Sequence, residues 1–188
     1  SRFKTIWAPE NKNVVDAYIK GLTIAYKNNH DLFIEMDAGL SHDPRAIPMF
    51  LRVLNEGNEC AFGSRFINGG SMAKSPIKRV LLSKTGTILA KIFLGSKLSD
   101  MTSGFRIYRL DALEKIRYTE TKSNGYAFQI EMTVLCLINK LNIKEIPITF
   151  NERREGKSKM SKSVIFEAFP KVLFLSLLRI KSKFLTTS

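Results

Sequence analysis

Short apolar runs of strand length alternate with longer segments of helical periodicity along most of the chain. Over residues 14–26 apolar side chains recur every three or four positions, whereas residues 31–36 form one compact apolar run. We predict strands at 3–7, 31–36, 59–63 and 143–150, and helices at 14–26, 46–55, 78–94 and 126–141. This alternation is typical of an α/β fold with a mostly parallel sheet flanked by helices. Pro147 favours an edge position for the last strand.

The chain carries a large excess of positive charge. Thirty lysines and arginines against 17 aspartates and glutamates give the 188 residues a net charge of +13. Nucleic acid, anionic lipid and a phosphate-rich substrate all fit such an excess. Because no helix-turn-helix, zinc or aromatic RNA-binding signature is present, we do not expect nucleic acid. Cys60 and Cys136 lie in strand-like and helical apolar runs, so we expect buried free thiols in a reducing compartment.

The most apolar segment is the C-terminal one, residues 164–180. Glu167, Pro170 and Lys171 interrupt it, and it is shorter than the roughly 20 apolar residues of a membrane span. Residues 151–188 carry nine basic and three acidic side chains, a net of +6. An amphipathic helix at an anionic membrane surface has this pattern, and so does a helix packed on the domain core. We therefore divide the chain into a domain over residues 1–163 and a C-terminal helix over residues 164–188.

Asp37 directly follows an apolar run, where a strand of a parallel sheet is expected to end. Ligands of such sheets bind outside the carboxyl ends of the strands. A carboxylate at that place can hold a divalent cation that binds a diphosphate. An aspartate that caps a turn or the next helix would give the same sequence, and both interpretations stay open at this point.

Basic residues with nearby hydroxyls and glycines recur in three places. Arg65 follows Gly63 and Ser64, Arg79 and Ser83 are one helical turn apart, and a polar loop holds three more. The cations of that loop are Arg154, Lys157 and Lys159. Guanidinium groups, hydroxyls and flexible glycines are the components of a phosphate site, although each residue alone could be a solvated surface charge.

Two further segments, residues 100–106 and 125–131, combine carboxylates, small residues and aromatic rings. Such a mixture suits the floor of a sugar site, because aromatic faces stack on sugar rings and polar edges bind hydroxyls. The alternative is structural: Asp100 would cap a turn, and Phe105 and Phe128 would pack in the core.

Six distinctive segments follow one another along the chain: MDAGLSHDP (36–44), GSRFINGG (63–70), KRVLLS (78–83), DMTSGFR (100–106), GYAFQIEM (125–132) and RREGKSKMS (153–161). In this order they closely resemble family 2 glycosyltransferases of the polyprenyl-phosphate (dolichol-phosphate) mannosyltransferase type. The resemblance spans roughly residues 11–163 and implies a GT-A (Rossmann-like) fold. It also implies that the family's first strands, with much of the base pocket, are missing from this sequence.

The resemblance implies a D-x-D signature that holds Mg²⁺ or Mn²⁺ on the diphosphate of a nucleotide-sugar. Asp37 matches its first carboxylate, but Gly39 stands at the second position, and Ser41 is the next polar candidate ligand. We expect a retained but altered metal site; loss of activity is the alternative.

The resemblance further assigns Arg65, Arg79 and Ser83 to the acceptor phosphate. It assigns the donor phosphates to Arg154, Lys157 and Lys159, and the sugar site to Asp100, Gln129 and Glu131. We regard Asp37, Asp100, Arg65, Arg79 and Ser83 as the catalytic set.

The implied reaction is inverting transfer of a sugar, with mannose expected, from GDP-mannose or a UDP-sugar to a polyprenyl phosphate. An anionic phosphate oxygen can attack without a strong base, whereas a hydroxyl acceptor would need Asp100 as base. We expect a cytoplasmic protein, peripheral at the cytoplasmic face of a membrane. The alternatives are a family 2 transferase with UDP-glucose or another donor or acceptor, and a catalytically impaired sugar-nucleotide-binding module.

Overall fold

The computed structural model describes residues 5–72, 75–123, 125–151, 170, 172–177 and 179. In chain order its elements are α1 (Val14–Lys27), β1 (Leu32–Glu35), α2 (Ile47–Asn55), β2 (Cys60–Ser64), α3 (Ile77–Leu94), β3 (Arg106–Arg109), α4 (Leu110–Lys115), α5 (Tyr126–Ile138) and β4 (Ile143–Pro147). Helix α1 begins at a capping box. The side chain of Asn13 accepts the backbone N–H of Asp16, and the side chain of Asp16 accepts the backbone N–H of Asn13.

The four strands form one mixed sheet in the order β1-β3-β2-β4. Strand β3 is antiparallel to both β1 and β2, and β2 is parallel to β4, so β1, β2 and β4 run in one direction. Glu35, the last residue of β1, and Phe62 of β2 both lie opposite Arg106, the first residue of β3. The segment that precedes β3 therefore lies at the carboxyl ends of the three parallel strands.

The predicted α/β architecture with flanking helices is confirmed, with two corrections. The sheet is mixed rather than mostly parallel, because the inner strand β3 runs antiparallel to both of its neighbours. Neither β3 nor the short helix α4 was predicted. Residues 5–7 of the predicted strand 3–7 are irregular, and residues 3–4 lie outside the described residues. The edge position expected for the strand with Pro147 is confirmed, since β4 ends the sheet order.

Side chains from alternate strand positions build a core on each face of the sheet. On one face Phe62 and Tyr108 pack with α1, α4 and α5, and on the other Ala61 and Ile107 pack with α2. Cys60 and Cys136 are buried free thiols, as expected.

The described part of the C-terminal segment is helical and packs on the domain. Val172 and Leu175 are buried in a cluster with Leu94, Met101 and Ile130. The guanidinium of Arg179 donates a hydrogen bond to the carbonyl of Leu94. Of the two alternatives for this segment, packing on the core therefore holds for these residues, while Phe174 is 57% and Leu177 66% exposed.

Among the described helices none combines the length and the apolar character that crossing a bilayer requires.

Candidate active site

Asp37 lies just beyond the carboxyl end of β1, as predicted, and the loop that follows folds back on it. The backbone N–H of Asp37 donates to Nδ1 of His42 at 3.1 Å. Leu40 allows the reversal by adopting a φ of 60°, in the left-handed region. The carbonyl of Ser41 accepts the N–H of Asn151 at 3.0 Å, which ties this loop to the chain beyond β4.

A column of aromatic rings leads from the core to this loop. The ring of Phe50 on α2 stacks on Phe105 at 4.6 Å between centroids, and Phe105 stacks on His42 at 5.0 Å. The edge-on contact of His42 with Phe150 follows at 5.7 Å. The column fixes the imidazole, and with it the backbone of Asp37.

Two arginines from different segments meet on the ring of Phe150. The guanidinium carbon of Arg65, just after β2, lies 5.7 Å from the ring centroid, and that of Arg79, in the first turn of α3, lies 5.1 Å from it. Ser83 follows Arg79 by one turn and is buried, and its Oγ has no hydrogen-bond partner among the described residues. Of the three predicted acceptor-phosphate residues, Arg65 and Arg79 thus lie near the loop of Asp37 through Phe150 and His42, and Ser83 lies one turn further along α3.

Arg65 also forms a buried ion pair with Asp100. Its Nε and one terminal nitrogen donate to the two carboxylate oxygens at 2.6 and 2.8 Å, and its backbone N–H donates at 3.1 Å. Asp100 is 0% exposed and also accepts the N–H groups of Thr102 and Ser103. Burial alone would raise the pKa of Asp100, but the hydrogen bonds and charge of Arg65 outweigh it and hold the pKa below its usual value. The structural role considered for Asp100, capping of a turn, is therefore present.

The carboxylate of Glu145 on β4 binds the backbone of the same segment. Both of its carboxylate oxygens accept the N–H of Ser99 at 2.9 Å, and one accepts the N–H of Asp100 at 3.0 Å. We did not predict a role for Glu145 from the sequence. A charged residue inside a short strand is nevertheless a signal that its side chain has a specific hydrogen-bonding partner.

A second buried charged cluster lies between the end of β1, the start of β3 and helix α5. The amide nitrogen of Gln129 donates to Glu35 at 2.8 Å, and the fully buried guanidinium of Arg106 donates to the carbonyls of Ser103, Gln129 and Met101. Burial raises the pKa of Glu35 to about 7, against the opposing effects of the charge of Arg106 and the hydrogen bond from Gln129. Arg106 thereby binds the segment before β3 to helix α5.

The predicted sugar-site residues are mostly engaged within the protein. The carboxylate of Glu131 accepts the backbone N–H groups of Lys122 and Ser123. Gln129 binds Glu35, and its amide oxygen is buried with no partner in the described part of the chain. Phe105 and Phe128 pack in the core, which was the structural alternative for them. The predicted donor-phosphate residues Arg154, Lys157 and Lys159 lie outside the described residues.

The part of the chain that the structure describes offers few ligands for a metal ion at this edge. Within the described ranges no three His, Cys, Asp or Glu residues are grouped so that they could hold one. Asp37 supplies one carboxylate, and the buried Oγ of Ser41 has no hydrogen-bond partner in the described structure. These oxygens suit a hard divalent cation, provided that a bound ligand and water supply the remaining ones. Nδ1 of His42 is already an acceptor for Asp37.

Solved structures with low sequence identity show the same fold. Glucosyl-3-phosphoglycerate synthase from Mycobacterium tuberculosis, in complex with phosphoglyceric acid, superposes with a TM-score of 0.58 at 17% identity, over 92% of this chain and 56% of that one. The same enzyme with Mn²⁺, UDP-glucose and glycerol 3-phosphate gives a TM-score of 0.56 at 16% identity, with the same coverage. The chain therefore has a GT-A fold.

Sequence comparison defines the family. The family described as Glycosyl transferase family 2 matches residues 1–117, and the chain belongs to it. The polyprenol monophosphomannose synthase of Mycolicibacterium smegmatis is 40% identical over 156 residues, which cover 83% of this chain and 59% of that protein. The undecaprenyl-phosphate mannosyltransferase of Micrococcus luteus is 39% identical over 152 residues, which cover 81% of this chain and 62% of that protein. The chain thus spans about three fifths of the length of these relatives.

Proposed function

We propose that this chain belongs to the catalytic domain of an inverting mannosyltransferase that uses a polyprenyl phosphate as acceptor. The names of the two relatives support both the sugar and the acceptor. In the proposed reaction a phosphate oxygen of the lipid forms a bond to the anomeric carbon of the donor. The bond from that carbon to the nucleoside diphosphate breaks, and the diphosphate leaves with the electron pair.

The observation that carries this proposal is the meeting of Arg65 and Arg79 on one ring beside the loop of Asp37. Paired guanidinium groups are well suited to the oxygens of a phosphate monoester. Arg79 lies in the first turn of α3, where the helix dipole also favours an anion. Ser83, one turn later, offers a buried hydroxyl whose Oγ lacks a hydrogen bond within the described residues.

The state of Asp100 favours a phosphate over a hydroxyl acceptor. Its carboxylate is buried, bonded to Arg65 and to two further backbone N–H groups, and has a lowered pKa. Such a carboxylate is a poor general base, because accepting a proton would cost these interactions. A polyprenyl phosphate is already anionic near neutral pH and needs no base. Asp100 then serves by orienting Arg65.

Asp37 and Ser41 are the residues that we propose to hold a divalent cation, Mg²⁺ or Mn²⁺. When bound, such a cation would neutralise charge on the donor diphosphate. Gly39 contributes no carboxylate, so the cation would depend more on oxygens of the diphosphate than it does at a site with two aspartates. We further assign Arg154, Lys157 and Lys159 to the donor phosphates.

We also propose that the protein acts at the cytoplasmic face of a membrane, where its lipid acceptor would be presented. The exposed side chains of Phe174 and Leu177 on the C-terminal helix support contact with a lipid surface. The net charge of +6 over residues 151–188 favours an anionic leaflet.

The test uses the full-length protein with labelled GDP-mannose, UDP-mannose or UDP-glucose, Mg²⁺ or Mn²⁺, and membranes that contain polyprenyl phosphate. We expect label from one mannose donor in an organic-solvent extract, released by mild acid as free sugar. Label that enters only water-soluble or protein-bound glycan would favour another acceptor. No transfer from any donor by a well-folded protein would favour a catalytically impaired sugar-nucleotide-binding module. The presence of Gly39 in place of a second aspartate also supports that alternative.

A further inference from the structure

Side chains from three separate segments converge on Phe150, a residue that the motifs do not include. We propose that Phe150 is a positioning residue that holds Arg65 and Arg79 beside each other for one phosphate group, while His42 fixes its ring to the loop of Asp37. This inference rests on the proposed function, because it assumes that the two arginines bind the phosphate of the acceptor.

The ring of Phe150 is anchored independently of the arginines. Phe150 is 8% exposed, and its backbone N–H donates to the carbonyl of Ser71 at 2.9 Å. The next residue, Asn151, donates to the carbonyl of Ser41, and the imidazole of His42 meets the ring edge-on. The ring is therefore a fixed surface on which side chains from α3 and from the residue just after β2 can be aligned.

An aromatic ring is suited to this task because its face attracts cations. The guanidinium carbons of Arg65 and Arg79 lie 5.7 and 5.1 Å from the centroid, within the range of such contacts. Two guanidinium groups at one place would repel each other, but the carboxylate of Asp100 balances the charge of Arg65. Phe150 can therefore hold Arg79 close to Arg65, because Asp100 compensates the positive charge of Arg65.

Phe66 provides a matched comparison within the same site. Arg65 lies 5.1 Å from its ring centroid and Lys84 lies 6.0 Å from it, so its cation contacts include Arg65 but not Arg79. Replacing Phe66 removes an aromatic contact of Arg65 that its ion pair with Asp100 can compensate. If alignment of both arginines is the function of Phe150, Phe150 should matter more for phosphate binding than Phe66.

The experiment measures binding of farnesyl phosphate and of farnesol to the full chain in one detergent, by calorimetry. For Phe150→Leu we expect about ten-fold weaker binding of farnesyl phosphate, the scale of one desolvated cation–π contact, and unchanged binding of farnesol. Phe150→Tyr, which keeps the ring, should bind farnesyl phosphate as the wild type does. Phe66→Leu should lose less affinity than Phe150→Leu.

A double-mutant cycle separates positioning from general packing. In an Arg79→Ala background, Phe150→Leu should cost much less affinity for farnesyl phosphate than it does alone, because the shared interaction is already lost. Phe150→Met gives the same comparison with an unbranched side chain if the leucine variant does not fold.

Two outcomes would overturn the inference and differ in what they leave standing. Wild-type affinity in both Phe150→Leu and Phe150→Met, or equal losses for farnesyl phosphate and farnesol, would remove the positioning role but leave the proposed acceptor site. Failure of the wild-type chain to bind farnesyl phosphate better than farnesol would remove both.

Discussion

The carboxylate of Asp100 is bonded to Arg65 three times, twice by the guanidinium and once by the backbone N–H. Both side chains are buried, so each depends on the other to compensate its charge. The pair joins the end of β2 to the segment before β3, which are 35 residues apart in sequence.

Breaking this pair should destabilise the domain strongly. We expect Arg65→Ala to lower the free energy of unfolding by about 3–5 kcal/mol, because it leaves a buried carboxylate without a counter-charge. Denaturant unfolding at neutral pH measures the change. Lys115→Ala removes one partner of the exposed pair with Glu59 and should cost far less. Equal losses in the free energy of unfolding for the two substitutions would show that the buried pair contributes no more than the exposed one.

Acidification should remove the contribution of Asp100. Its folded-state pKa lies below the ordinary value of 3.8, so its ionised form stabilises the folded state at higher pH. We expect the stability advantage of the wild type over Asp100→Asn to be full near neutral pH and to decline as the pH falls below about 4. A constant difference between pH 7 and pH 3 would contradict the assignment.

Glu35 should make stability depend on pH in the opposite direction. Its folded-state pKa of about 7 lies above the ordinary 4.5, and burial is the main cause, partly offset by Arg106 and Gln129. The wild type should therefore lose up to about 3 kcal/mol of stability as the pH rises from 4.5 through 7. Tyr18, whose pKa is raised to about 12, stays neutral over this range.

The variant Glu35→Gln isolates this effect, since its amide oxygen can still accept the hydrogen bond from Gln129. It should lack the decline, and it should be more stable than the wild type at pH 8. Thermal unfolding at a series of pH values between 4.5 and 8.5 tests this, and parallel curves for the two proteins would refute it.

Arg79 should act on the acceptor rather than on the donor. We expect Arg79→Ala to raise the KM for polyprenyl phosphate about ten-fold or more, because a charge-assisted contact is lost, and to change the KM for the nucleotide-sugar little. Lys78→Ala removes an exposed charge from the same helical turn and is the matched control. Similar losses for acceptor and donor would count against the assignment of Arg79.

Restoring the second carboxylate of the D-x-D signature should strengthen metal binding. We expect Gly39→Asp to reach half-maximal activity at a Mg²⁺ or Mn²⁺ concentration about ten-fold lower than the wild type, because a second charged oxygen joins Asp37. Metal titration of the free protein, followed by the thermal unfolding midpoint, should shift in the same direction. An unchanged metal dependence in both measurements would argue against a metal site at Asp37.

Much of the fold could be predicted from the sequence because its helices are periodic, β1 and β2 are mostly apolar, and isoleucines recur in β4. Strand β3 could not, since it begins and ends with arginine and owes its inner place in the sheet to pairing with β1 and β2. Arg106, the first residue of β3, is fully buried, and three carbonyls and the ring of Phe62 satisfy its guanidinium.

The candidate site was predicted in its motifs but not in its connections. The order of the motifs pointed to Asp37, Arg65 and Arg79, and the fold brings them to one edge of the sheet. The contact between His42 and Phe150 could not be predicted, because it joins residues more than 100 positions apart. No local pattern encodes such a pairing.

The hydrogen bond from Asn151 to Ser41 has a consequence for how this domain can vary. It links the loop after β1 to the segment that follows β4. The lengths of these two connections are therefore mutually constrained. An insertion of one residue in either connection would displace Phe150 relative to His42 and offset both arginines. We therefore expect the chain to tolerate added residues far better around Gly57 than in either of these two short stretches.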